Sequence, residues 1–422
     1  MAYSRKLFAK LKEQAKERKI SFLLGARQVG KTTLLKTLYQ ELAQKKKCLF
    51  LDLDLLSNYE KVSTFEVLLN TLKLQGYEEQ QKDFFYLFLD EFQRYPEMAR
   101  IMKNVYDNST NIKIYASGSS SLTIKDQIQE SLAGRKRIQE IFPLDFEEFL
   151  LFKGKEKLAQ NLKSLKKLQG EDLYLSTKEY AELLKEFLIF GSYPEVTLKN
   201  TPTEKREVLE SIFDLYVKKD LVEYLKVEKI LGMKRLIEFL AVNNGQKIKY
   251  EEISALTSLS FHEIKKHLEI LKETYLIEVI RPFSTNKNKE LVKIPKIYFV
   301  DCGVRNFFLN NFNDFSLRDD AGFLFESFVL SELLKRGIKN IAFWQDKNRN
   351  EVDFILENNG LLVPMEIKYK SSLKSEDFKG LKYFSETYQK VKKKYLINLG
   401  IQKNSKGVTL LLPYVLEKIT EH

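Results

Sequence analysis

The chain has 422 residues, 44% hydrophobic and 30% charged, with a net charge of +12 and a pI of about 9.2. That length exceeds one ordinary core and predicts two or three domains, and no window approaches the apolar run that a membrane-spanning helix needs, so no membrane partner is expected. Two cysteines, Cys48 and Cys302, sit among apolar residues and read as reduced thiols of a cytoplasmic protein, while three histidines exclude a His-rich zinc site.

Residues 1–19 read as an amphipathic helix with Leu7, Phe8, Leu11 and Ala15 on one face. Its basic start is not followed by the apolar core of a signal peptide, which argues against secretion. The apolar run Ile20 to Leu24 then leads into Gly25-Ala26-Arg27-Gln28-Val29-Gly30-Lys31-Thr32-Thr33, and a helical pattern follows. This is G-x-x-x-x-G-K-[ST] between a strand and a helix, the phosphate-binding loop. Glycines let successive backbone N–H groups point into one anion-sized hollow, and the helix adds its positive N-terminal end. Lys31 can reach the β and γ phosphates of ATP, and the Thr32 hydroxyl can sit on Mg²⁺.

A second strand is expected at 48–53, a helix at 66–74 and a third strand at 84–89, which ends in Asp90-Glu91. Carboxylates at the carboxyl end of a buried parallel strand lie where ligands bind in open α/β sheets. Asp90 is expected to hold Mg²⁺, and Glu91 to act as the base that polarises the attacking water. The next strand, 112–116, closes on Ser117-Gly118-Ser119-Ser120. Ser117 is the candidate sensor of the γ-phosphate, although a plain Ser/Gly turn has the same composition. In Ser131 to Arg137, Arg135 is the candidate arginine finger, in its own or a neighbouring subunit, or else a structural arginine. A strand at 138–142 and a helix at 145–153 end this region.

Residues 154–180 are lysine-rich and read as a mobile connection or small insertion. Helices are expected at 181–190 and 204–225, the latter carrying Lys218-Lys219-Asp220, with a turn at Gly191-Ser192-Tyr193-Pro194-Glu195 between them. Three helices (236–243, 250–256, 261–274) and two strands (275–280, 296–300) around a polar tip at 284–289 then spell a winged helix-turn-helix. Its third helix would present His262, Lys265 and Lys266 to DNA, or the fold serves protein contacts instead.

The last hundred residues hold a second constellation: a helix with Glu326, then strands with Asp353 and with Glu366-Ile367-Lys368. Glu366 and Lys368, two apart in a strand, face the same way. If the two strands form a hairpin, both carboxylates meet Lys368, and such a group can hold Mg²⁺ on a phosphate ester. This is the order of restriction-endonuclease-like nucleases, and Glu326, Asp353, Glu366 and Lys368 are the candidate nuclease site. A Glu-x-Lys in a lysine-rich chain can also be a solvated face.

Together these segments resemble the bacterial and archaeal AAA-type ATPases that carry the domain of unknown function numbered 4143. The matching stretches run from Leu24–Thr33 through Leu89-Asp90-Glu91-Phe92-Gln93, Ser131-Leu132-Ala133-Gly134-Arg135, the segment from Pro143 to Phe149, the turn at Gly191 and the segment from Pro295 to Gly303, to Glu351-Val352-Asp353-Phe354 and Glu366-Ile367-Lys368. Ala26 stands where many members resemble Gly-Pro-Arg, and Val352 where the nuclease motif has proline. The resemblance implies an α/β chain with an AAA-type parallel sheet at 1–153, a helical lid at 154–228, a winged helix at 229–310 and a PD-(D/E)xK nuclease-like domain at 311–422. It implies ATP and Mg²⁺ as cofactors and ATP hydrolysis. Three functions remain open: an ATPase coupled to a nucleic-acid-facing module, an ATP-gated Mg²⁺-dependent DNA nuclease, and a nucleotide-dependent protein switch that never touches DNA. An oligomer through the AAA domain is a further expectation.

Overall fold

A computed structural model describes residues 5–119, 128, 130–165, 170–217, 221, 229–284, 294–358, 360–405, 407–416 and 419. The chain divides into two compact units, 1–142 with 273–275, and 143–272 with 276–422.

The first unit is a parallel sheet flanked by helices. Its strands β1 (Ile20–Gly25), β2 (Cys48–Asp52), β3 (Phe85–Asp90), β4 (Ile112–Ser119) and β5 (Lys136–Ile141) lie in the order β2-β3-β4-β1-β5. All neighbours pair parallel. β1, β3 and β4 are buried along their whole length, which explains their continuous apolar sequences. Helices α1 (Lys6–Gln14), α2 (Lys31–Ala43), α3 (Leu56–Tyr59), α4 (Phe65–Leu74) and α5 (Met98–Asn108) surround the sheet. Phe22, Leu24, Leu87, Leu89 and Ile114 share one core with Leu68, Leu72, Ile101 and Met102 of α4 and α5. Because the strands run parallel, the loop after β1, the acidic pair after β3 and the serines of β4 all reach the same edge.

Helix α1 is shorter than the expected 1–19, and residues 1–4 lie outside the described residues. It is held by Tyr115, whose hydroxyl donates to Leu11 O at 2.8 Å. Below it Lys113 is fully buried and donates to Ser21 Oγ at 2.9 Å. Burial pushes this lysine down to about 7.

The second unit begins with α6 (Phe146–Phe152), α7 (Glu156–Leu165), α8 (Gly170–Phe190), α9 (Pro194–Leu198) and α10 (Pro202–Leu215). The expected connection at 154–180 is therefore corrected: two helices occupy most of it. Ala159, Leu162, Leu165 and Tyr180 are buried, while Lys155, Lys157 and Lys178 are exposed on the outside of packed helices. The expected 204–225 helix is described as Pro202–Leu215, and Lys218, Lys219 and Asp220 lie outside the described residues. The helix expected at the end of the AAA domain, α6, belongs by its contacts to the second unit. Its start carries a reciprocal cap, Asp145 with Glu148.

Next come α11 (Ile230–Val242), α12 (Tyr250–Thr257), α13 (Phe261–Glu273) and the antiparallel hairpin β6 (Ile277–Pro282) and β7 (Lys296–Phe299). The order matches the expected three helices and hairpin, and the tip residues 285–293 lie outside the described residues. After α14 (Cys302–Phe308) and α15 (Ala321–Lys335) come β8 (Ile341–Gln345), β9 (Glu351–Asn358), β10 (Leu361–Ile367), α16 (Lys379–Thr387), β11 (Tyr395–Ile397), β12 (Lys403–Ser405) and β13 (Val408–Leu411). The hairpin joins them in one sheet of order β12-β13-β11-β10-β9-β8-β6-β7. The join is the parallel pairing of β6 with β8, Arg281 with Ala342 and Pro282 with Phe343. The expected boundary at 310 thus falls inside one compact body. Among the described residues no helix is long and apolar enough to cross a membrane, and Cys48 and Cys302 are free thiols.

Candidate functional site

Gly25 closes β1 so tightly against β5 that a Cβ would come within 2.2 Å of Ile141 O. The loop turns through two left-handed residues, Gln28 at φ 58° and Gly30 at φ 96°. Gly30 is the N-cap of α2, and no side chain caps that end. Its first N–H groups therefore remain available for an anion. Val29 is buried and can contribute its backbone, Thr33 is exposed, and Ala26, Arg27 and Gln28 lie half-buried along the loop. Lys31, only 5% exposed, donates to Gly25 O at 3.1 Å and Ala26 O at 2.7 Å. The loop folds around the ammonium that would meet a phosphate.

Asp90 is 1% exposed at the end of β3. Burial pushes its carboxyl up, while hydrogen bonds from Ser117 and Thr32 pull it back down. Ser117 Oγ donates to Asp90 Oδ1. Hence Thr32, Asp90 and Ser117, drawn from three elements, form one hydrogen-bonded group beside the lysine loop. A hydroxyl and a carboxylate side by side are hard oxygen donors that suit Mg²⁺. Asp52, opposite Asp90 in the β2–β3 register, adds a second carboxylate nearby. Glu91 follows in the left-handed region at φ 56°. Gln93, which the sequence reading passed over, donates its Nε2 to Glu91 Oε2. Gly118 makes room for this amide, since a Cβ there would lie 2.4 Å from Gln93 Oε1. No local sequence signal marks Gln93 as a partner of Glu91.

Arg135 requires a correction. It directly precedes β5, at the start of the strand that pairs from Lys136 with Ile20, and its carbonyl accepts Ile20 N at 2.9 Å. The phosphate loop follows the other end of β1, about 20 Å away at roughly 3.3 Å per residue over six residues. Its guanidinium forms a two-pronged pair with Asp107 at 2.7 and 3.2 Å. Arg135 therefore lies at the end of the sheet opposite the phosphate loop, paired with Asp107. An arginine from outside the loop that does reach it is Arg5, donating to Val29 O at 2.8 Å and Phe142 O at 2.9 Å. Those contacts span 24 and 137 residues, beyond any local motif.

In the second unit the four candidate nuclease residues do come together. The β9–β10 register ends with Met365 opposite Phe354, so the next pair along is Glu366 and Asp353. Asp353 Oδ2 accepts Ile367 N at 2.8 Å. Lys368 bonds Glu366 and lies 3.9 Å from Asp353 Oδ2. Burial and then the Asp353 charge push Glu326 up to about 8. The same two causes push Glu366 well up, whereas Lys368 is raised because Asp353 and Glu366 outweigh its burial. Residues that the sequence reading missed also enter: Tyr298 and Lys296 of β7, and Glu351 of β9. Among the described residues, no group of three acidic, His or Cys side chains is gathered tightly enough to hold a metal ion.

On α13, His262, Lys265 and Lys266 are exposed on one face, with Lys265 Nζ 4.3 Å from the Phe261 ring centre. Ser260 and Glu263 cap that helix reciprocally.

The AAA domain family matches residues 17–150, and a domain of unknown function (DUF4143) matches 321–415. A second domain of unknown function (DUF8612) matches 181–314. The chain is 33% identical over 288 residues to an uncharacterized protein of Methanocaldococcus jannaschii, covering 65% of this chain and 60% of that protein. It is 26% identical over 313 residues to an uncharacterized protein of Haemophilus influenzae, covering 72% of this chain and 71% of the other. Among solved structures, a Walker-type ATPase of Pyrococcus abyssi aligns with 16% identity and a TM-score of 0.47, covering 73% of this chain and 96% of that one. The chain thus carries an AAA domain and a DUF4143 domain.

Proposed function

We propose that this AAA-domain chain binds ATP with Mg²⁺ and hydrolyses it, and that the second unit is a nucleic-acid-facing output module. The hydrogen-bonded group of Thr32, Asp90 and Ser117 beside the Lys31 loop carries the reading. Thr32 and Asp90 would hold Mg²⁺, which supplies positive charge to the phosphates when bound. The backbone from Gly25 to Thr33 and the Lys31 ammonium take the phosphates. Ser117 senses the γ-phosphate through Asp90, and Glu91 accepts a proton from the attacking water. Lys31→Ala tests the binding half of this reading: a fluorescent ATP analogue should bind about tenfold or more weakly. Unchanged affinity would remove the loop from the site.

The three helices with their hairpin support a winged helix, and the exposed His262, Lys265 and Lys266 support a DNA-facing helix α13. Binding to duplex DNA should weaken steeply with salt, as phosphate contacts require. Absent binding at low salt would favour the protein-switch reading. A second reading, a nuclease-like C-terminal fold, is favoured by the convergence of Glu326, Asp353, Glu366 and Lys368. Plasmid cleavage with Mg²⁺ or Mn²⁺ that disappears in Asp353→Ala would support it; cleavage that survives would come from elsewhere. Arg135 is left for a neighbouring subunit or for the Asp107 pair alone.

A further inference from the structure

The second unit has a cleft of about 350 Å³ at the end of the β9–β10 hairpin away from Glu366. Its floor is apolar. Leu356 of β9 lies opposite Val363 of β10, and Tyr395 of β11 lies opposite Met365, two residues along from Val363. Side chains alternate along a strand, so Leu356, Val363 and Tyr395 share one face of three neighbouring strands. Leu356 and Tyr395 are buried, and Val363 is half-buried. Glu366, the residue after Met365, takes the other face, so the cleft is separate from the acidic cluster.

The rim is cationic. Arg336 and Lys339 come from the turn after α15, and Lys392 and Lys393 from the segment that leads into β11. Glu357 is the one carboxylate among the described residues that line the cleft. Arg336 donates to Glu332 O at 2.7 Å and to Glu332 Oε2 at 2.8 Å, so it closes the end of α15 and its charge is balanced there. Lys339, Lys392 and Lys393 against Glu357 leave a surplus of two positive charges. Over the whole chain cations and carboxylates are far more even, 70 to 58. Two segments far apart in sequence are needed to gather these lysines, whereas a solvated basic face needs only one helix or loop.

A phosphate monoester carries a charge of about −1.5 to −2 near pH 7, which matches that surplus. The volume falls in the range of small-molecule sites, roughly 300–1,000 Å³. A bare inorganic anion would leave the apolar floor uncovered, and an uncharged apolar molecule would leave the lysines unanswered. We propose that this cleft binds a small phosphomonoester with a flat or apolar body, no larger than a mononucleotide. The body lies on Leu356, Val363 and Tyr395, and the phosphate meets Lys339, Lys392 and Lys393. The site depends neither on the nucleotide loop nor on the nuclease-like reading.

The test uses pyridoxal 5′-phosphate on the full-length chain at less than one equivalent. Its ring suits the floor and its phosphate the rim. Its aldehyde condenses with a lysine amine, losing water, and borohydride reduces the imine to a stable secondary amine. Peptide mass spectrometry then locates the label, and label on Lys31 is told apart by its own peptide. Because a cationic cleft concentrates an anion, Lys339, Lys392 and Lys393 should carry about tenfold or more label than the average exposed lysine. Pyridoxal, which lacks the phosphate, should show no such preference. Adenosine 5′-monophosphate should protect these lysines at concentrations where inorganic phosphate does not. Lys392→Glu, an exposed change, should lower the label on Lys339 and Lys393 about fivefold, and Lys392→Gln should lower it less. Label spread evenly over exposed lysines overturns the proposal, as does equal preference from pyridoxal. Undiminished label in Lys392→Glu overturns it too. Protection by inorganic phosphate equal to that by the nucleotide would remove the apolar floor from the site and overturn it as stated.

Discussion

Glu91 sits at φ 56°, where a residue other than glycine pays about 1–3 kcal/mol. The hydrogen bond from Gln93 helps to offset that strain and fixes the carboxylate beside the buried Asp90. The loop and the acidic pair are legible in the sequence because each is a short local pattern whose chemistry lies in consecutive residues. Arg5 is not, since its partners lie 24 and 137 residues away, and Gln93, though only two residues from Glu91, carries no pattern of its own and is accommodated by the close approach of Gly118. Arg135 shows the same limit from the other direction. Gly134-Arg135 looks suited to a phosphate, but strand direction puts it at the wrong end of the sheet. Arg135→Ala should therefore leave ATP turnover unchanged at concentrations where the chain is monomeric. A fall in turnover in that dilute regime would contradict its placement.

Among the elements, the turn at Gly191 and the start of α14 form one buried joint. Asp301, the N-cap of α14, accepts from Val304 N at 3.1 Å, Ser192 N at 2.8 Å and Ser192 Oγ at 3.2 Å. Gly191 has φ 77°, and a Cβ there would fall 2.0 Å from Asp301 Oδ1. Gly191→Ala should cost at least about 1–3 kcal/mol from backbone conformation alone, read by urea denaturation; wild-type stability would refute the tight approach. Both halves of the joint are visible in the sequence, as a turn and as a strand leaving Pro295, but their meeting is not. A second joint predicts a pH dependence. Burial pushes the Asp320 carboxyl up, yet hydrogen bonds from Arg318 and Arg305 outweigh it and hold it at about 2. Its folded value is below its unfolded one, so its contribution is complete above the ordinary value of 3.8 and is lost as pH falls from there towards 2. That contribution is about 2 kcal/mol. Asp320→Ala leaves Arg305 and Arg318 buried without their carboxylate and should cost about 3–5 kcal/mol. In that variant the stability lost between pH 4 and pH 2 should shrink; an unchanged acid profile would rule out Asp320 as its source.

At the scale of the whole molecule, the sequence indicates the order of elements better than their grouping. The parallel sheet, the three helices with a hairpin and the Asp353–Glu366 strand pair all follow from periodicity and motif spacing. Grouping depends on contacts between segments far apart in the chain. The hairpin at 277–299 and the strands after 341 form one sheet through two residue pairs, which no apolar pattern announces. The lysine-rich stretch at 154–180 reads as linker by composition, yet it buries enough apolar side chains to form helices. The C-terminal cluster is legible as four residues and becomes seven with Lys296 and Tyr298 of β7 and Glu351 of β9.

The central claim is that the loop from Gly25 to Thr33 and the pair Asp90-Glu91 form one ATP-hydrolysing site. Its most direct test measures ATP affinity and steady-state turnover together in Glu91→Gln. Loss of a general base predicts turnover reduced by about 10²-fold or more, with ATP affinity within about threefold of wild type. Turnover at the wild-type rate in that variant would contradict the claim.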